Sequence, residues 1–294
     1  MKPLVSFCII TYNQENYILD ALNGAVNQDY ENLEIIVSDD CSKDNTFGVI
    51  ENFVKTYQGR HKIILNRNPI NLGITKHCNK VLYELAQGDY ILIAGGDDVS
   101  HPQRVSMSVD YFYKFPQIKS LSFLSEQTDE NLKPTINYEQ QCSVHNYSIF
   151  TLDDYLSYYD FRIFSGDSRA LRREVIDKFP PLNEARAEDI FLFFRSLLLG
   201  SICYIREPMV KRRIHNSNIS LRQATADGII DFRLQMMRDL AHSLNMGYIP
   251  KFLEPRIINK IDQMYRNLEY WALKRNITFK DRVLNKLRKI FKKR

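Results

Sequence analysis

The chain has 294 residues, 44% of them hydrophobic, enough for one large α/β domain with an appendage or for two small domains. Its formal charge of +5 is concentrated in Lys280 to Arg294, where eight basic residues and one acidic give a local +7 and leave −2 on residues 1–279. A nearly neutral body disfavours nucleic-acid binding, which needs a basic face on the folded domain, and no run of ~20 apolar residues is present to span a bilayer.

Met-Lys-Pro runs at once into a strand-like segment without the apolar stretch of a signal peptide. Cys8, Cys41, Cys78, Cys142 and Cys203 are odd in number, scattered and free of any CxxC pair, so neither a disulfide framework nor a zinc site is expected, and a reducing cytoplasm is. Leu4 to Ile10 (LVSFCII) reads as a buried strand that runs into Thr11-Tyr12-Asn13-Gln14. From Glu15 the period changes, and Tyr17, Ile18, Ala21, Leu22, Ala25 and Val26 mark one face of a helix. Leu33 to Val37 is a second strand, ending in Ser38-Asp39-Asp40-Cys41-Ser42, and Asp44 or Asn45 can cap the helix that follows. Ile63 to Leu65 is a third strand, followed by Asn68-Pro69-Ile70-Asn71-Leu72-Gly73. A third helix turns Ile74, Cys78, Val81, Leu82 and Leu85 inward and stops at Gly88.

The stretch from Gly88 to Asp98 carries the most chemistry. Tyr90 to Ala94 is a short apolar run bounded by turn formers, the pattern of a strand covered on both faces, and it opens into Gly95-Gly96-Asp97-Asp98. The glycines let the backbone approach a ligand, while two adjacent carboxylates repel unless a cation lies between them. A hard divalent ion held by carboxylates and substrate phosphates suits that set. Strands alternating with helices of ten to fifteen residues predict right-handed βαβ units and a parallel sheet, with ligands at the carboxyl ends of the strands.

Beyond Asp98 the expected elements are a helix from Pro102 to about Lys114, a strand at Leu121–Leu124 and a polar, aperiodic connection over 126–150. A short helix at Thr151–Tyr159 and a strand at Phe164–Leu171 follow. Glu188-Asp189 opens an apolar helix to Leu199, and Ile202–Ile205 and Met209–Ile214 read as two further strands, the second ending at His215. The remainder reads as helical. Thr11-Tyr12-Asn13-Gln14-Glu15 holds no glycine where a GxGxxG turn requires one, and a P-loop is absent, so a nucleotide would be held by side chains and a metal.

Taken together, VSFCIITYN (5–13), EIIVSDDCSKDNT (34–46), NPINLG (68–73), GDYILIAGGDD (88–98), AED (187–189) and RRIHNSNIS (212–220) resemble the family 2 glycosyltransferases of GT-A fold, among them enzymes that build bacterial O-antigens and capsules. The resemblance covers about residues 3–220. It implies a Rossmann-like, mainly parallel sheet flanked by helices. Residues 1–220 would form the transferase domain, 1–100 its nucleotide-sugar half and 101–220 its acceptor half, with 221–294 as a C-terminal helical region. The implied reaction is inverting transfer from a nucleoside-diphosphate sugar, such as a UDP-sugar, with Mg²⁺ or Mn²⁺, onto a polyprenyl-diphosphate-linked saccharide. Carried over by position, Tyr12 and Asp40 would hold the nucleobase, with Thr11, Asn71 and Gly96 also contacting the donor. Asp97 and Asp98 would contact the ribose and the metal, Asp189 would be the general base, and His215 would be a further metal or diphosphate contact. The family's Asp-x-Asp often begins earlier than Asp97, where this chain has Gly95, which leaves two carboxylates to share those roles. Competing readings are a metal-dependent nucleotidyltransferase and a non-catalytic sugar-nucleotide-binding module.

At the C-terminus, Phe279, Val283, Leu284, Leu287, Ile290 and Phe291 fall on one side of a helix and basic residues on most of the other. That is the pattern of a helix lying on an anionic membrane surface, or of a solvated helix packing its apolar stripe on the domain; the lipid-linked acceptor that the resemblance implies favours the first, and with it a peripheral protein on the cytoplasmic face of the inner membrane.

Overall fold

A computed structural model describes residues 2–136, 146–157, 166–183, 188–216, 218 and 226–274. The strand-forming segments fill one sheet among the described residues: β1 (Val5–Thr11), β2 (Leu33–Asp39), β3 (Lys62–Arg67), β4 (Tyr90–Gly95), β5 (Val99–Ser100), β6 (Ile118–Thr128), β7 (Tyr147–Phe150), β8 (Arg169–Arg172) and β9 (Ser201–Arg213). Their order is β3-β2-β1-β4-β8-β6-β9-β5, with β7 also on β9. β3, β2, β1 and β4 are mutually parallel, and β8 enters antiparallel between β4 and β6.

The apolar runs of β1 and β2 explain their central place. Every residue of both strands is buried, and successive side chains go to opposite faces. Val5, Phe7 and Ile9 join Leu22, Ala25 and Ile50 in one core, whereas Cys8 and Ile10 join Cys78, Val81, Leu82 and Leu171 on the other side. The first face is covered by α1 (Ile18–Val26), α2 (Thr46–Thr56) and α4 (Arg104–Lys114), and the second by α3 (Ile74–Asn79). After β1, β2 and β3 step outward in one direction, the chain returns to place β4 on the other flank of β1. This reversal opens a crevice at the carboxyl ends of β1 and β4, the place where open α/β sheets take ligands.

Short helices α5 (Leu152–Ser157) and α6 (Glu174–Asp177) flank the second half of the sheet, and a third core lies between α7 (Glu188–Leu199), α8 (Ala226–Asn245) and α9 (Glu254–Lys274). α7 is covered all round from Phe191 to Leu198, which includes Arg195. The fully buried Arg195 guanidinium donates from Nε to Asp239 Oδ2 at 2.9 Å and from Nη2 to Asp239 Oδ1 at 2.9 Å, with Gln235 adding a third donor to that carboxylate. This fork joins α7 to α8.

Several boundaries differ from expectation. The two segments read as separate strands near 202–214 are one strand, β9, because a bulge opposite Phe123–Leu124 absorbs Arg206 and Glu207 and brings Pro208 against Leu124. β6 extends to Thr128, and β7 pairs with β9, so both ends of the supposed 126–150 connection belong to the sheet. The third helix gives way to a π-helical turn at Lys80–Leu85. Within the expected strand at 164–171 only β8 is a strand among the described residues, and it runs on to Arg172. The amphipathic tail at 279–294 and Cys142 lie outside the described residues.

Asp239→Ala should cost about 3–5 kcal/mol of stability, because it leaves the buried Arg195 cation uncompensated. Replacing both partners, Arg195→Met with Asp239→Leu, should cost less than the single change. Urea unfolding of the three proteins measures both, and a single variant as stable as the parent would contradict the fork's role.

Candidate active site

The crevice between β1 and β4 is shaped first by a close backbone approach. A Cβ on Gly96 would fall 2.5 Å from both Thr11 Oγ1 and Gln14 Oε1, so only glycine lets the end of β4 lie against the end of β1. Buried Thr11 in turn donates to Gln14 Oε1 at 2.7 Å. The following loop is tied to the end of β2: Asn13 donates its amide to Ser42 Oγ at 2.8 Å and accepts from the Lys43 amide at 2.8 Å. Half-buried Tyr12 follows Thr11 in this loop, and the Thr11 carbonyl accepts the amide of buried Asp40 at 3.0 Å.

Asp40 organises the segment after β3. Its Oδ1 accepts from Asn68 Nδ2 and the Leu72 amide, both at 2.8 Å, and its Oδ2 from the Gly73 amide at 2.9 Å. Exposed Asn71 donates to the Asp40 carbonyl at 3.2 Å. A carboxylate oxygen can accept twice, and the Gly73 amide is the one donor to Oδ2 among the described residues. Beneath lies a polar layer that the sequence reading missed. His77 Nε2 and Ser38 Oγ are 2.7 Å apart, and Asn66 donates to the same hydroxyl at 2.8 Å. Burial of His77 pushes its pKa below the ordinary 6.5, against the pull of the Asp40 and Asp39 charges.

Asp97 and Asp98, adjacent in sequence, part company in space. Asp98 is 8% exposed and turns back into the sheet, where its Oδ1 accepts the Arg213 amide at 3.0 Å. Burial, then the neighbouring Asp97 and Asp167 charges, push its carboxyl well above the usual carboxylate range. Asp97 faces the crevice: its Oδ2 is 3.0 Å from His215 Nε2 and accepts from Asn218 Nδ2 at 3.0 Å. His215 is held by the Tyr17 ring, 4.5 Å from it centroid to centroid, and its backbone amide donates a hydrogen bond to Asn218 Oδ1 at 2.7 Å. Arg213 fixes the whole corner, donating to the carbonyls of Asp97 and Glu130 and, at 2.7 Å, to Asp20 Oδ2. A carboxylate oxygen and an imidazole nitrogen 3.0 Å apart are close enough to share one hard cation whose other positions go to water and phosphate oxygens, so the residues present fit a divalent ion. Among the described residues no cluster of three or more such side chains is present.

Asp189 sits in the first turn of α7, half-buried, with Oδ1 accepting the Ile190 amide at 2.9 Å. A Cβ on Gly166 would lie 3.0 Å from Asp189 Cβ, and the Asp189 carbonyl accepts from Arg169 Nη1. The segment 166–169 therefore runs from the Asp189 side chain to β8, whose neighbour is β4. The structure thus brings Thr11, Gly96, Asp97 and His215 to one corner, Tyr12, Asp40 and Asn71 to a second, and Asp189 to a third, while Asp98 is withdrawn. Arg213 and Asn218 were legible only as parts of the RRIHNSNIS segment, and Asp167 gave no sequence signal.

Known proteins share part of this sequence and its fold. A family model described as Glycosyl transferase family 2 matches residues 6–179. Abequosyltransferase RfbV of Salmonella typhimurium is 41% identical over 97 residues, which is 32% of this chain and 28% of RfbV. An uncharacterized glycosyltransferase of Rickettsia felis is 26% identical over 221 residues, 73% of this chain and 35% of that protein. The matched region thus spans less than half the length of these curated relatives. Among solved structures, S. aureus TarS in complex with UDP-GlcNAc superposes with a TM-score of 0.63 at 19% identity, covering 87% of this chain and 79% of that one. Mannosyltransferase PcManGT from Pyrobaculum calidifontis, in complex with GDP-Man and Mn²⁺, gives 0.59 at 16%, covering 99% and 81%. Both show that the fold is shared.

The buried His77 sets a pH dependence. Its pKa is lower folded than unfolded, so the unfolded state binds the extra proton below pH 6.5; the stability is complete above that value and is lost as pH falls. His77→Gln should therefore flatten the fall in unfolding free energy between pH 7 and pH 5, by up to about 1.4 kcal/mol per pH unit. Equal slopes for the two proteins would show that His77 is not a source of the dependence.

Proposed function

The chain belongs to glycosyl transferase family 2, and from that membership we propose that it transfers a sugar, with inversion, from a nucleoside-diphosphate donor, a UDP-sugar, to a lipid-linked saccharide in surface-polysaccharide synthesis. The observation that carries this reading is the pairing of Asp97 with His215 at the β1/β4 switch point, across a crevice wall that continues through residues 166–169 to Asp189. Residues 1–100 are assigned to the donor, 101–220 to the acceptor, and 221–294 to a helical region with a basic, membrane-facing tail.

Tyr12 offers a ring to stack on the base, and Asp40 Oδ2 an acceptor to its edge. Asp97 and His215 would hold a divalent ion, which when bound neutralises charge on the departing diphosphate. Asp98, fixed by the Arg213 amide, serves the shape of this corner. At the other end, Asp189 Oδ1 is taken by the Ile190 amide, which leaves Oδ2 to receive a proton. The acceptor hydroxyl attacks the anomeric carbon on the face opposite the diphosphate. As the new carbon–oxygen bond forms, the bond to the diphosphate breaks with its electron pair, and the hydroxyl proton passes to Asp189. One carboxylate suffices, since no covalent sugar–enzyme intermediate forms.

Asp189→Asn should lower turnover by roughly 10²- to 10⁴-fold, the contribution of a general base, while UDP affinity measured by calorimetry stays within about twofold. Parallel loss of UDP binding and turnover would remove Asp189 from the base role. Deleting residues 279–294 should release the protein from anionic vesicles at low salt while transfer to a short soluble acceptor continues, since each basic residue near such a surface contributes roughly 1 kcal/mol. Equal vesicle binding by both forms would contradict a membrane-facing tail.

A further inference from the structure

Asp167 has a largely buried carboxylate that takes no hydrogen bond among the described residues. Its side chain is 8% exposed, yet neither Oδ1 nor Oδ2 has a hydrogen-bond partner among the described residues. Buried carboxylate oxygens are ordinarily hydrogen-bonded, and one that is not calls for an explanation, such as a water, an ion or a ligand that supplies the donors. Asp167 stands just before β8, whose Ala170 pairs with Leu92 of β4, so it lies beside the Gly95 end of that strand. One neighbour, Gly166, packs against the Asp189 side chain. On the other side the Asp167 charge acts on Asp98. Asp167 thus occupies the wall between the corner assigned to the diphosphate and the carboxylate assigned to the acceptor, the stretch that a transferred sugar ring must cross.

Its chemistry distinguishes two occupants. A cation would be drawn to carboxylates short of positive charge, but Asp167 has the Arg212 guanidinium at 3.9 Å and the fully buried Arg104 guanidinium close enough to interact electrostatically. Arg104 gives Nη1 to Ser100 Oγ and Nη2 to the Ile93 and Arg169 carbonyls, and its Nε has no hydrogen-bond partner among the described residues, so it balances the charge without donating to Asp167. What Asp167 lacks is hydrogen-bond donors. Neutral hydroxyl groups supply those donors without adding charge, and two on adjacent ring carbons match the two oxygens of one carboxylate.

We propose that Asp167 is a specificity-determining residue that accepts hydrogen bonds from two neighbouring hydroxyls of the donor's sugar ring. The inference rests on the nucleotide-sugar reading above and deepens it: the donor class is a sugar that keeps two adjacent free hydroxyls facing β8. Asp167 reads the sugar and leaves the nucleotide to the corners at Tyr12, Asp40 and Asp97.

The test is calorimetry with Mn²⁺ on the wild type, Asp167→Asn and Asp167→Ala. The probes are UDP-glucose, UDP-galactose, UDP-GlcNAc and GDP-mannose, each beside its free nucleoside diphosphate, with folding of each variant checked by circular dichroism. For the donor that the wild type binds, both variants are expected to lose at least about 10-fold in nucleotide-sugar affinity, the size of a charge-assisted hydrogen bond, with affinity for the free diphosphate kept within about twofold. Single deoxyfluoro versions of that donor should weaken wild-type binding at two adjacent positions and leave Asp167→Ala indifferent to the same changes. Equal losses for sugar nucleotide and free diphosphate, or weakened Mn²⁺ binding by electron paramagnetic resonance, would place Asp167 on the cation and overturn the proposal. Unchanged donor affinity in both variants would overturn it too, while leaving the glycosyltransferase reading intact. If the wild type bound none of the four donors, the nucleotide-sugar reading would fail and this inference with it.

Discussion

Arg213 is the residue on which the geometry of the site depends. Its amide holds Asp98 in the sheet, its guanidinium holds the Asp97 and Glu130 carbonyls, and an ion pair to Asp20 ties the group to α1. The guanidinium also lies over the Tyr17 ring, 4.7 Å from its centroid, and the same ring supports His215. A planar fork with five donors can serve several acceptors at once, which the single ammonium of lysine does with less directional control. The result is that two adjacent carboxylates, which would otherwise repel in one place, are separated: one is spent on structure and the other is presented beside His215.

The site joins distant parts of the chain because of the sheet order. β1 and β4 meet only because the chain steps out through β2 and β3 and returns, which puts Thr11 next to Gly96. β9 then brings Arg213 and His215 to the same corner from the far side, since its 13 residues pair with β6 along one edge and with β7 and β5 along the other. Stability is concentrated elsewhere. The Arg195–Asp239 fork and the aromatic core around α7 hold the C-terminal helices, whereas the crevice keeps a raised carboxyl at Asp98 and an unsatisfied one at Asp167.

The first half of the fold was legible because its signals are local. Buried runs such as LVSFCII alternate with helices of period 3.6, and βαβ handedness leaves few arrangements for them. Asp97 and His215 were found as motif members, but their mutual contact, across 118 residues of sequence, comes from strand order. The second half was harder to read for reasons that can be named. Arg206-Glu207-Pro208 reads as a break between strands, whereas the bulge that takes up Arg206 and Glu207 lies within β9 and shows only once that strand is paired with β6. The buried state of Asp98 depends on Arg213, and the lack of hydrogen-bond partners for Asp167 among the described residues is a property of three-dimensional packing that leaves no periodic trace.

The central claim is that the β1/β4 crevice receives a nucleotide sugar. Crystals grown with UDP and Mn²⁺ test it directly, with anomalous diffraction to locate the metal. The account places the uracil against Tyr12 and Asp40, and the Mn²⁺ peak beside Asp97 and His215. A nucleotide bound instead in the cleft lined by Asn16, Asp20, Glu130 and Leu132, or a metal peak remote from Asp97, would contradict it.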